Sequence, residues 1–258
     1  MDLRSEDTLR LVALTPPFAI RLYQDGMEAG TQRLLALALA VGLSYGWAAL
    51  FARVARRPLG PGLTHYAMTF VVLVPGPVAW IAAVLALSFG AVFGREVFGG
   101  RTVLPPAAIG LAFAIFSFPE GGFEVSGILA TEPNPIFAIS CLPGAAILIW
   151  RDALSWESAG GAVIGTMTAG ILMEASAPWT QPALGAFAAG VIFLAAAPEG
   201  APGRKGARWL HGLLVGALIV LIRLANPDQP DGVVFAALLA GLFAPLLDRA
   251  VTWRPRHA

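Results

Sequence analysis

One feature limits this chain more than any other: apolar stretches follow one another almost to the end, with charge confined to the short breaks between them. Hydrophobic residues make up 57% of the 258 positions and charged ones 13%, about half the charge of an ordinary soluble domain. Twenty apolar residues suffice to cross a bilayer, so the chain reads as an all-α polytopic membrane protein. The 29 glycines and 20 prolines would cripple soluble helices, but membrane bundles use them for close packing and for breaks.

Apolar runs between polar or Pro/Gly-rich breaks predict spans near 33–54, 63–75, 77–94, 104–119, 134–150, 158–175, 182–197, 208–224 and 232–248. Residues 11–20, LVALTPPFAI, are short and interrupted. They read either as a degenerate first helix or as an interfacial segment, giving nine to ten helices. Residues 1–32 therefore form an N-terminal segment and 33–258 a single transmembrane domain. Basic residues gather at Arg53/Arg56/Arg57, Arg95/Arg101, Arg151, Arg204/Lys205/Arg208 and Arg249/Arg254/Arg256. The alternate loops 120–133, 174–181 and 225–231 hold only acidic charge. All basic clusters thus fall on one side, the cytoplasmic one by the positive-inside rule, with the C-terminus inside. The N-terminus MDLRSEDTLR has no signal-peptide pattern, so insertion is expected to use the first spans.

Two short runs end at proline: HYAMTFVVLVPGP at Pro75 and GAFAAGVIFLAAAP at Pro198. Each is followed by a basic loop and a Gly-rich span. Short, broken helices at matching places in two halves are the trace of repeats with a site near the midplane. Repeat one is placed at about 11–119 and repeat two at about 134–248. On this reading His65, Thr69, Pro75, Pro198 and Arg223 are the pathway candidates.

The same segments resemble the NqrB/RnfD family, membrane subunits of sodium-pumping NADH:quinone reductase and of the Rnf complex. GREVFGG (94–100) followed by PPAAIGLAFAIFSFP (105–119) is similar to the family's K-x-x-F-G-G and F-N-P-A helix ending S-F-P. LVGALIVLIRLANPDQPDGVVFAALLAGLFAPLLD (214–248) resembles its I-R, Pro/acidic loop and A-P-L-I-D pattern. The resemblance implies ten helices in two five-helix repeats, a urea/ammonium-channel-like architecture. It also implies FMN joined through phosphate to the last Thr of S-G-A-T, and electron transfer linked to ion movement. VSGILATEP (125–133) is the corresponding segment, making Ser126, Gly127 and Thr131 the cofactor-binding candidates. Leu129 stands at the acceptor position. The family's T-D-P has become Ala196-Ala197-Pro198, its F-N-P-A asparagine Pro105, and the asparagine before A-P-L-I-D Gly241.

Conventional chemistry is not evident. The single Cys141 and three histidines offer no zinc or iron–sulfur pattern, and no hydrolase or P-loop motif occurs. No catalytic or metal-binding residue is assigned. Balanced charge, 17 basic against 16 acidic residues, argues against nucleic acid as a partner. The expected role is a divergent, ion-translocating electron-transfer subunit with its flavin site altered or lost. It would sit in a bacterial-type inner membrane among other membrane subunits of a redox complex. The alternatives are a stand-alone small-solute channel or transporter on the same fold, or a structural subunit of a larger assembly.

Overall fold

The computed structural model describes residues 3–60, 62–74, 79–118, 134–173, 185–225 and 232–252. Among these residues all regular secondary structure is helical: α1 (Leu3–Ala55), α2 (Leu63–Leu73), α3 (Trp80–Ala91), α4 (Pro106–Ser117), α5 (Pro135–Trp150), α6 (Trp156–Leu172), α7 (Gly185–Gly190), α8 (Lys205–Ala225) and α9 (Gly232–Thr252). Helices α3 and α7 continue into π-helical turns at Val92–Glu96 and Val191–Ala195. Stretches long and apolar enough to cross a membrane occur in α1 (Glu6–Ala55), α8 and α9, and shorter apolar helices lie at Leu63–Leu73, Pro106–Ser117, Pro135–Trp150 and Gly185–Ala195. It is a helical membrane protein.

Residues 11–20 are helical throughout, part of a helix that begins at Leu3. Helix α1 runs through Pro16-Pro17 and doubles back at Gly26, whose φ of 72° and ψ of −166° are open to glycine. The reversal follows from contacts: Arg10 reaches His65 while Tyr45 reaches Thr64. In a straight helix Arg10 and Tyr45 would lie about 50 Å apart. The two prolines leave the carbonyls of Val12 and Ala13 without their helical donors. The Thr15 hydroxyl donates to Val12 O at 2.7 Å. Ala13 O faces Gly144 of α5, where any Cβ would collide with it. The first arm of α1 is therefore held by tertiary packing that no local pattern announces.

Glycine sets the other close contacts too. Gly161 and Gly165 of α6 meet Gly212 and Gly216 of α8, and a Cβ at Gly212 or Gly216 would strike the backbone of Ser158 or Ala162. Small residues at this spacing let two membrane helices touch along their backbones. Gly90 and Gly110 do the same for α3 and α4. Thr166 and Thr168 bond back to Ala162 O and Ile164 O at 2.8 and 2.9 Å.

Contacts sort the bundle into two ends. Arg33, 5% exposed, donates from Nη1 to Val71 O and Val74 O at 2.6 and 2.7 Å and also pairs with Asp25. It thereby closes the C-terminal end of short helix α2. At that same end, Gln24 bonds Asn134, the N-cap of α5. The opposite, basic end carries Arg57, Arg95, Arg151 and Arg208. There Asp248 of α9 accepts from the amides of Gly203 and Arg204 at 2.9 and 3.0 Å, just ahead of α8.

Candidate functional site

At the basic end an open cleft of about 490 Å³ lies between the early and late parts of the chain. One wall is Leu14, Thr69, Pro105, Pro106 and Ala107; the other is Leu148, Ala153, Leu154, Ile192, Phe193, Ala197 and Pro198. Arg10, His65, Tyr66 and Glu199 complete the lining and supply its polar groups. Pro105 sits before the first turn of α4, and the π-turn Val191–Ala195 brings the chain to Pro198-Glu199. Chain breaks on both sides thus build one surface. Three of the five pathway candidates, His65, Thr69 and Pro198, come together here.

A chain of hydrogen bonds crosses the cleft. His65 Nδ1 lies 2.7 Å from Asp7 Oδ1, and His65 Nε2 lies 3.3 Å from Arg10 Nη1. The same Nη1 donates to Glu199 Oε1. A carboxylate accepts and a guanidinium only donates, so His65 carries its proton on Nδ1 and presents a lone pair at Nε2. Burial alone would raise the Glu199 carboxyl, but the Arg10 charge and the hydrogen bond from Arg10 hold it below the usual carboxylate range.

A second, smaller cleft of about 320 Å³ lies behind His65 and is lined also by Tyr66, Arg95, Glu96, Thr102 and Pro106. Glu96 is a π-helical residue only 4% exposed, and its close partner is Arg57, with Arg95 Nη1 at 3.8 Å. Gly100, at φ +81°, turns its carbonyl toward Arg95 Nε at 3.3 Å. The GREVFGG stretch thus combines a buried ion cluster with a turn that needs glycine.

Other expectations fall elsewhere. Arg223 is at the far end of α8, beside Gly232. His211 is completely buried within α8, with neither ring nitrogen hydrogen-bonded. Pro75, Ser126, Gly127, Leu129 and Thr131 lie outside the described residues. No group of three metal-ligating side chains occurs among the described residues. Sequence reasoning missed Asp7, Arg10 and Glu199. The usable signal was a charge placed where an apolar helix begins, or directly after its terminating proline.

The sequence profile of the NQR2, RnfD, RnfE family matches residues 2–131 and 121–256. The chain belongs to this family. Among its relatives are proteins named as one subunit of the Na(+)-translocating NADH-quinone reductase. The one from Klebsiella pneumoniae is 30% identical over 258 residues, covering 80% of this chain and 63% of its own length. The Yersinia pestis protein is 31% identical, covering 80% and 62%, and that of Pseudomonas aeruginosa is 29% identical, covering 80% and 63%. The chain thus spans less than two thirds of the length of these relatives.

Proposed function

We propose that this protein is a divergent RnfD/NqrB-like membrane subunit of an electron-transfer, ion-translocating complex, and that covalent flavin attachment has been lost from it. The observation that carries this reading is family membership along the whole chain combined with leucine at position 129. A phosphoester needs an oxygen nucleophile on the side chain, and leucine has none. Within 125–133 only Ser126 and Thr131 offer hydroxyls. The residue at the attachment position does not fit a covalent FMN. Relatives named as subunits of a reductase support partner subunits for this chain in a bacterial inner membrane.

The proposed topology has ten crossings in two halves. The first comprises residues 3–25, residues 27–55, α2, α3 with its π-turn, and α4; the second comprises α5, α6, α7 with its π-turn, α8 and α9. The basic end faces the cytoplasm, and the cleft between the halves opens there. A second reading, a stand-alone solute channel on a urea/ammonium-channel-like fold, draws on that cleft, which short helices from both halves enclose.

Purification from native membranes separates the two. The subunit reading predicts co-purifying redox proteins and no flavin fluorescence on this chain after denaturation. Solute flux through liposomes holding this chain alone would favour the channel instead. A flavin that stays attached through denaturation would refute the loss of the covalent site.

A further inference from the structure

We propose that His65 is a proton-binding site whose loading transfers the bridge across the cleft from Arg10 to His65 itself. The two protonation states demand different partners for one atom, Nε2. In the arrangement described, Nδ1–H is engaged by Asp7 at 2.7 Å and Nε2 accepts from Arg10 Nη1 at 3.3 Å. That nitrogen has two hydrogens, and the second goes to Glu199. A proton taken from water onto Nε2 turns this acceptor into a donor facing another donor. Arg10 must then withdraw. Glu199 Oε1, already 4.0 Å from Nε2, is the acceptor within reach. One proton is bound, the two hydrogen bonds from Arg10 Nη1 to His65 and Glu199 are broken, one from His65 to Glu199 is made, and no electron moves.

Charged groups face His65 from several elements. Glu6, Asp7 and Arg10 face the site from α1, and Glu199 faces it from the segment after the second π-turn. Three carboxylates against one guanidinium leave a negative balance that an imidazolium reduces. On the far side the second cleft presents Arg95 and Glu96, and Glu96 is held by Arg57. On His65's own helix, the Tyr66 hydroxyl is committed to Leu87 O at 2.7 Å. His65 lines both clefts, so water can bring the proton. Imidazoles exchange protons between about pH 5 and 8, and Arg10, once released, keeps Glu6 as a partner at 3.7 Å. Acidification therefore removes the arginine crossbar joining α1 to Pro198-Glu199. The inference rests on the cleft being the functional site only for its biological use; the proton chemistry is independent of partners and flavin.

The test is nitrogen NMR on the full chain in nanodiscs with ¹⁵N-labelled histidine, using His65→Gln and His257→Gln to assign the three rings. At alkaline pH the expected His65 signal is that of a neutral ring protonated on Nδ1. On acidification both nitrogens become protonated, and Glu199→Gln moves that transition to lower pH. Amide exchange at residues 6–14 and 196–204, corrected for intrinsic rates, should rise through the same transition in the parent chain and not in His65→Gln. A neutral ring protonated on Nε2, a ring already charged at alkaline pH, or a transition unmoved by Glu199→Gln would each overturn the proposal. If His65→Gln fails to fold, the Glu199→Gln arm decides alone.

Discussion

Replacing Arg33 with methionine removes the one side chain that satisfies both ends of a buried problem. Its Nη1 donates to Val71 O and Val74 O at 2.6 and 2.7 Å, where α2 stops, while Nε and Nη2 hold Asp25. Arginine and aspartate side chains are 4% and 11% exposed, so water cannot take over. Breaking one partner of a buried pair costs about 3–5 kcal/mol. Each carbonyl stripped of a charged donor adds about 1–3 kcal/mol, overlapping with the first term. The expected loss for Arg33→Met is about 4 kcal/mol, read from SDS-titrated unfolding in mixed micelles followed by far-ultraviolet circular dichroism. Adding Asp25→Asn removes the stranded charge but not the two orphaned carbonyls. The double variant should therefore recover about 2 kcal/mol, the scale of a typical buried-pair coupling. Arg33→Met within about 1 kcal/mol of the parent, a value typical of exposed pairs, would refute the reasoning. So would a double variant that recovers nothing.

Other substitutions test other joints. Gly216→Leu should cost about 3 kcal/mol or more, because the new side chain meets α6 backbone, and the yield of monodisperse protein should collapse. Gly42→Ala, with nothing within 4 Å of its Cβ, should leave that yield unchanged. Thr15→Val should cost about 1 kcal/mol in the same micelle unfolding, by stranding the Val12 carbonyl. For Glu199, whose folded carboxyl titrates below its unfolded value, the linked stability is present above about pH 4.3, the ordinary glutamate value. It is lost as pH falls through the lower, folded value. Glu199→Gln should lower stability at neutral pH and flatten that acid limb of a pH–melting profile.

The apolar runs made most of the helices legible. Expected spans at 63–75, 134–150 and 232–248 lie close to helices Leu63–Leu73, Pro135–Trp150 and Gly232–Thr252, since hydropathy and proline are local signals. The first arm of α1 was not legible. Arg10, Arg21 and Asp25 dilute its hydropathy, and Pro16-Pro17 read as a stop. What keeps it helical is Thr15 and the distant Gly144. The cleft was half visible: His65, Thr69 and Pro198 drew notice as polar or broken points inside apolar runs. Their partners did not, because Asp7 and His65 are 58 residues apart in sequence and Arg10 and Glu199 are 189 apart. Charge pairing over such separations depends on how the helices pack. Arg223 carried the same local signal as the cleft residues and still lies at the other end, which shows the limit of that signal.

The central claim is most directly tested by purifying the chain from native membranes and inspecting it after denaturing electrophoresis under ultraviolet light. A subunit that has lost its covalent flavin should bring redox proteins into the purified assembly and show no flavin fluorescence at this chain's mass. A fluorescent band at 26.9 kDa, or a chain that purifies alone and conducts solute, would contradict it.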